Sequence, residues 1–172
     1  MLFTELAKEQ SNMASDIFLK VDGIKGEATD VDHKDEIEVV SWSWGVSEVF
    51  ISSGGGGVVG GKARVGDFVV GKQVDKASPN LLRACLTAKH INEVVLMQRK
   101  AGAGQSNFLT ITLKDVLISS LSDVDTAAAP RPTESIVFAF GKVIYEYVPH
   151  KPNGQPDTPL TLRWDVKANT EF

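Results

Sequence analysis

Apolar and polar residues alternate along most of this chain with a period of two, the mark of strands half-buried in a sheet. The first run is Ile17-Phe18-Leu19-Lys20-Val21, followed by turn signals at Asp22-Gly23 and Lys25-Gly26. Glu36 to Phe50 and Arg64 to Val74 are the second and third runs, and Val94 to Lys100 the fourth. In Asn107 to Ser119, Leu109, Ile111 and Leu113 share one face while Thr110, Thr112 and Lys114 share the other. Ser135 to Tyr147 sets Ile136, Phe138, Phe140 and Ile144 against Val137, Val143, Tyr145 and Tyr147. The last run sets Leu160, Leu162, Trp164 and Val166 against Thr161, Arg163, Asp165 and Lys167.

Several of these runs exceed the usual strand length of about 5–6 residues. Long twisted strands in one domain predict a mainly β fold, a single-domain barrel or sandwich of antiparallel strands. Ile136/Val137 and Val143/Ile144 are apolar on both faces, which predicts cover on the outer face by a helix or a neighbouring copy. One helix is expected at about 79–89. Ser78 suits its N-cap and Pro79 its first position; Leu81, Leu82, Cys85 and Leu86 form the apolar face, and Lys89 and His90 suit its C-terminal end. Two loops are expected, Ser52–Gly61, holding six of the fifteen glycines, and Asp123–Pro132. Residues 1–12 are read as an extension outside the fold, leaving 13–172 as the domain.

At 172 residues and 42% hydrophobic content, the chain can bury a full core without disulfides or metal. A net charge of −4 argues against nucleic-acid partners, which demand phosphate neutralisation. Cys85 is the single cysteine, so no intramolecular disulfide forms. No run reaches membrane-spanning length, and residues 1–12 lack the apolar centre of a secretory signal. Export, if it occurs, takes another route.

The chemical motifs in the chain are weak. Gly55 to Gly60 fits G-x-G-x-x-G, and Gly56 to Lys62 fits the start of a P-loop. Ala63 stands where magnesium needs Ser or Thr, and a strand follows where the phosphate needs a helix N-terminus. The acidic group Asp30, Asp32, His33, Asp35, Glu36 and Glu38 lacks the glycine an EF-hand loop requires, since Asp35 holds the sixth position. Cys85 lies among leucines as a small apolar residue, and no serine-nucleophile elbow is present. These readings predict no enzyme activity, no cofactor and no metal.

The most informative segment is Val40-Ser41-Trp42-Ser43-Trp44-Gly45-Val46-Ser47. Its parity predicts a heavy apolar stripe of Val40, Trp42, Trp44 and Val46. The opposite face, Ser41, Ser43, Gly45 and Ser47, is small and neutral, as befits a surface along which something passes or binds.

With this segment the chain resembles the haemolysin-coregulated protein (Hcp) family, the inner-tube subunits of type VI secretion. The resemblance runs through Asp16 to Val21, Lys25-Gly26-Glu27, His33, Glu36-Ile37 and Ser41-Trp42-Ser43-Trp44-Gly45. It continues through Asp75 to Leu81, Ala84-Cys85, Lys89-His90 and Leu113 to Ser120, covering about Met13 to Asn169. It implies a β-barrel with one helix, six copies closing into a ring, and rings stacking into a tube. It also implies a spike protein at the tube tip, a contractile sheath around it and effector proteins in the lumen. Such a protein is cytoplasmic before firing and extracellular afterwards, without inserting in a membrane. Within that frame Ser41, Ser43 and Ser47 are expected to face the lumen. Gly54, Gly55, Gly56, Gly57, Val58, Val59 and Gly60 are expected to reach the next ring. The alternative is a small-ligand-binding β-barrel that forms no ring, which an apolar pocket in the isolated chain would favour.

Overall fold

The computed structural model describes residues 15–53, 57–100, 106–125 and 130–172. Eleven strands and one helix follow one another among these residues. The order is β1 (Asp16–Val21), β2 (Ile37–Glu38), β3 (Ser41–Ser43), β4 (Val46–Ser53), β5 (Gly57–Val65), β6 (Phe68–Gln73), α1 (Ser78–Leu86), β7 (Ile91–Arg99), β8 (Asn107–Val124), β9 (Thr133–Tyr147), β10 (Leu160–Asp165) and β11 (Thr170–Glu171). The ladder runs β11-β10-β9-β8-β7-β1-β2, and β6 joins β9 to β3. All the pairings are antiparallel.

The expected Glu36–Phe50 strand is broken into β2, β3 and β4. The first break is where the chain changes neighbours: the Val39 N–H donates to Ile17 O at 2.9 Å, and the Val40 N–H to Gly71 O at 2.8 Å. The ladder does not close by pairing alone; this bend links its two arms. The bend also shifts the phase of the apolar stripe. Val39 is buried, whereas Val40, expected in the stripe, is exposed.

Long strands β8 and β9 form the backbone of the sheet. Leu109, Ile111 and Leu113 are buried as expected, but the inward residues then become Val116 and Ile118. Asp115, with φ of 55°, lies in the left-handed region and resets the alternation. Its neighbour across the ladder is glycine: a Cβ on Gly141 would lie 3.1 Å from the Asp115 Cβ. β9 changes phase at the same level, burying Ile136 and Phe138 before the kink and Val143 after it. Phe68 and Phe138 face each other in register between β6 and β9, both without solvent exposure. Each such side chain contributes about 1.5–3 kcal/mol by burial.

The helix α1 starts at Ser78 and ends at Leu86, shorter than the expected 79–89. Ala77 rather than Ser78 takes the N-cap position, and no side chain caps it. The Ser78 hydroxyl is instead committed to a buried polar cluster, donating to Glu134 Oε2 at 3.0 Å. Leu81 and Ala84 enter the core. Leu82 and Leu86, expected on the apolar face, are exposed, so the buried face of α1 is narrower than its leucines suggest.

Candidate assembly surfaces

Three surfaces stand out: the serine face, the β4–β5 hairpin, and exposed apolar walls. The serine face spans β3 and the start of β4. Trp42 and Trp44 turn inward against the core, while Ser41, Ser43 and Ser47 are exposed. Trp42 stacks on Phe68 with centroids 5.6 Å apart, and its Nε1–H donates to Gln98 Oε1 at 3.2 Å. The Trp44 Nε1–H donates to Gly66 O at 3.0 Å. Both indoles thereby satisfy their one polar atom while burying the ring. Ser41 and Ser43 pair with Gly71 and Val69 on β6, and a Cβ on Gly71 would come within 2.5 Å of Ser41 Oγ. A side chain at Gly71 would have to displace the Ser41 hydroxyl, so glycine keeps that stretch of the face low.

The glycine-rich segment differs from its expected form. Residues 54–56 lie outside the described residues, as do residues 1–12. Gly57, Val58, Val59 and Gly60, expected in a loop, belong to β5 and pair with Ser53, Ser52, Ile51 and Phe50 of β4. The β4–β5 hairpin is a two-stranded sheet of its own. It continues the β3–β6 pair: the Gly66 N–H donates to Gly45 O at 2.9 Å just before Val46 meets Val65. A ribbon of β3–β4 against β5–β6 thus runs from the main sheet, which holds β3 and β6, into the separate β4–β5 pair.

Beneath the root of that ribbon lies an apolar groove of about 340 Å³. Trp44, Val46, Ala63 and Val65 line one side, and Val143, Leu162 and Trp164 the other. It is open: Val46 is 55% exposed and Leu162 43%. Beyond it on β10, Leu160 is 63% exposed. The groove joins residues from distant runs, and only the two-sided apolarity at Val143/Ile144 hinted at it in the sequence.

Ionic clamps fix the Asp22–Glu36 connection against the sheet. The Arg99 guanidinium, almost wholly buried, donates to both Asp30 carboxylate oxygens and, at 3.2 Å, to Asp16 Oδ2. It also lies over the Phe18 ring at 5.1 Å. The Arg99 hydrogen bond holds the Asp30 carboxyl below its ordinary range, and that same bond raises Arg99. Lys25 lowers Asp35, and Arg131 lowers Glu27, both chiefly by hydrogen bonding. Asp30 and Asp35 of the acidic group are thus held by cations and Glu36 lies 2.7 Å from His33 Nδ1; no cluster of ligating side chains suited to a metal occurs among the described residues.

The described residues thus form a long-stranded antiparallel sheet with one helix, two inward tryptophans and a separate two-stranded hairpin. The family model for the type VI secretion system effector Hcp matches residues 18–147. The chain belongs to the Hcp family. It is 40% identical over 161 residues to protein Hcp1 of Pseudomonas aeruginosa, covering 92% of this chain and 99% of that relative. Among solved structures, a type six secretion system protein superposes with a TM-score of 0.87 at 30% identity, covering 92% of this chain and all of the other. Hcp1 from Salmonella typhimurium superposes with a TM-score of 0.77 at 36% identity, covering 93% and 100%. As an Hcp family member, the chain is a component of type VI secretion. No helix among its described residues is long and apolar enough to cross a membrane.

Proposed function

We propose that this chain is a structural, non-catalytic subunit of the exported type VI tube, closing as six copies into a ring whose rings stack. The observation that carries the reading is the open apolar groove between the ribbon root and β10. Such exposed apolar walls are stable in water only at a cost, and a partner surface that covers them recovers it. A ring needs two different surfaces on each copy, so that a head-to-tail contact closes on itself. Small ligands favour enclosed concave sites. This groove would leave one wet, so covering by a second copy fits better than a small-ligand barrel.

In the ring, Ser41, Ser43 and Ser47 line the lumen and offer hydroxyls without bulk or charge to effector proteins. The hairpin tip, from Gly54 to Gly60, reaches the adjoining ring. The spike protein caps the tube and the contractile sheath surrounds it. The chain waits in the cytoplasm and leaves through the type VI apparatus, without nucleic acid and without inserting in a membrane. The test is assembly mass: the wild type should form a closed hexamer, and Leu162→Glu, which places a charge in the groove, should shift it towards monomer. A hexamer indifferent to that charge would move the interface elsewhere.

A further inference from the structure

The helix α1 carries an exposed apolar stripe in a basic stretch of an acidic chain. From Lys76 to Asn92 there is no Asp or Glu, while Lys76, Arg83 and Lys89 all fall there; the whole chain carries −4. Leu82 is 43% exposed and Leu86 78% exposed, one helical turn apart. Arg83, next to Leu82 in the helix, and Lys89, three residues past its end, are also exposed. The Arg83 Nη1–H donates to the neutral Asn80 Oδ1 at 3.5 Å.

This face lies across the β6 wall from the serines. Ser41 and Gly71 share one side of that wall, as the 2.5 Å approach of a Gly71 Cβ to Ser41 Oγ requires. The next residue, Lys72, points to the other side, where its ammonium meets Ser78 Oγ at 3.0 Å in the first turn of α1. Alternation along a strand sends successive side chains to opposite faces. If Ser41 and Ser43 face a lumen, α1 stands on the outward side of the tube wall.

We propose that α1 is an outward docking face for an acidic amphipathic helix of a surrounding polypeptide, with Leu82 and Leu86 as apolar anchors and Arg83 and Lys89 as its charge partners. The outward placement rests on the tube reading above; the docking chemistry does not. Two leucines one turn apart match the apolar stripe of a partner helix, which repeats at the same spacing. The flanking cations select a partner with Glu or Asp beside its stripe and reject one with Lys there. Being exposed, these ion pairs weaken with salt, whereas the leucine contacts do not. A tube that must slide past what surrounds it is served by a small, salt-sensitive contact of this kind.

The probe is a labelled synthetic helix of about 18 residues, five turns, with leucines on one face and glutamates beside them, and a second peptide with lysines replacing the glutamates. Binding to the assembled full-length protein is followed by fluorescence anisotropy. The glutamate peptide should bind, more weakly as salt rises, and the lysine peptide should not. Leu82→Ser/Leu86→Ser should weaken binding by about tenfold or more, the loss expected when leucine burial is removed. Arg83→Glu/Lys89→Glu should reverse the preference to the lysine peptide. Both variants should keep the wild-type assembly mass. Equal binding of the two peptides, binding of neither, or glutamate-peptide binding untouched by the leucine changes would overturn the proposal. An assembly mass altered by the leucine changes would also overturn it, since α1 would then be a contact between copies. A monomeric wild type that still discriminates between the peptides would sink the tube reading alone.

Discussion

Lys72 Nζ lies 2.7 Å from Glu134 Oε2, and neither side chain is more than 1% exposed. The same ammonium reaches Asp75 Oδ1 at 2.8 Å and the Gln73 carbonyl at 2.8 Å. One cation thereby pins β6, the turn into α1 and β9 together. Breaking such a pair by removing one partner typically costs about 3–5 kcal/mol, because a buried charge is left uncompensated. Glu134→Ala should therefore lower the denaturant midpoint sharply. Lys72→Met with Glu134→Leu and Asp75→Asn should restore much of it, since no charge is then stranded. Equal losses in both variants would show that packing, not charge pairing, governs the site.

The Asp30–Arg99 clamp gives the fold an acid limit. Folding holds the Asp30 carboxyl below its ordinary value of 3.8. A depressed carboxylate contributes stability that is complete above the unfolded value and is lost as pH falls through the folded one. Melting temperature should therefore drop as pH is lowered below about 4, the ordinary range of Asp. Asp30→Asn should be less stable at neutral pH and show a shallower acid decline. An unchanged decline in Asp30→Asn would assign the acid limit to other carboxylates, Asp35 and Glu27 first.

Because β4 and β5 pair with each other in a sheet of their own, the hairpin tip can be removed without cutting the main ladder. Deleting Gly54–Gly60 should leave the subunit folded and the ring intact, while abolishing tubes seen by electron microscopy and export of the protein. Tubes of normal length would deny the tip any role between rings.

Ser43 is exposed beside two inward tryptophans. Ser43→Arg should change stability by no more than about 0.5 kcal/mol, as exposed substitutions usually do. In a ring it adds one cation per copy, a full belt around the lumen. An effector that co-purifies with wild-type rings should be lost from the variant while the rings persist. Unchanged effector retention would place cargo contacts elsewhere.

The strands themselves were legible because alternation reports burial directly. Leu109, Ile111 and Leu113 are buried as their spacing implied, and Trp42 and Trp44 face inward opposite Ser41 and Ser43. The reading failed where backbone geometry resets the phase. The change of neighbours at Val39–Val40 exposes Val40, and the left-handed Asp115 hands the core from Leu113 to Val116. Leu82 and Leu86 misled for another reason: helical spacing identifies an apolar face but not which part of it meets the core. The Lys72–Glu134 pair, 62 residues apart, leaves no local pattern to read. The groove left only the two-sided apolarity at Val143/Ile144 as a hint, because its walls meet only when β10 docks beside β9.

Native mass spectrometry of the purified full-length protein tests the tube reading most directly. The account predicts one dominant species at six times the 18.6 kDa of the subunit, falling towards monomer in Leu162→Glu. A wild-type protein that stays monomeric at tens of micromolar would contradict it.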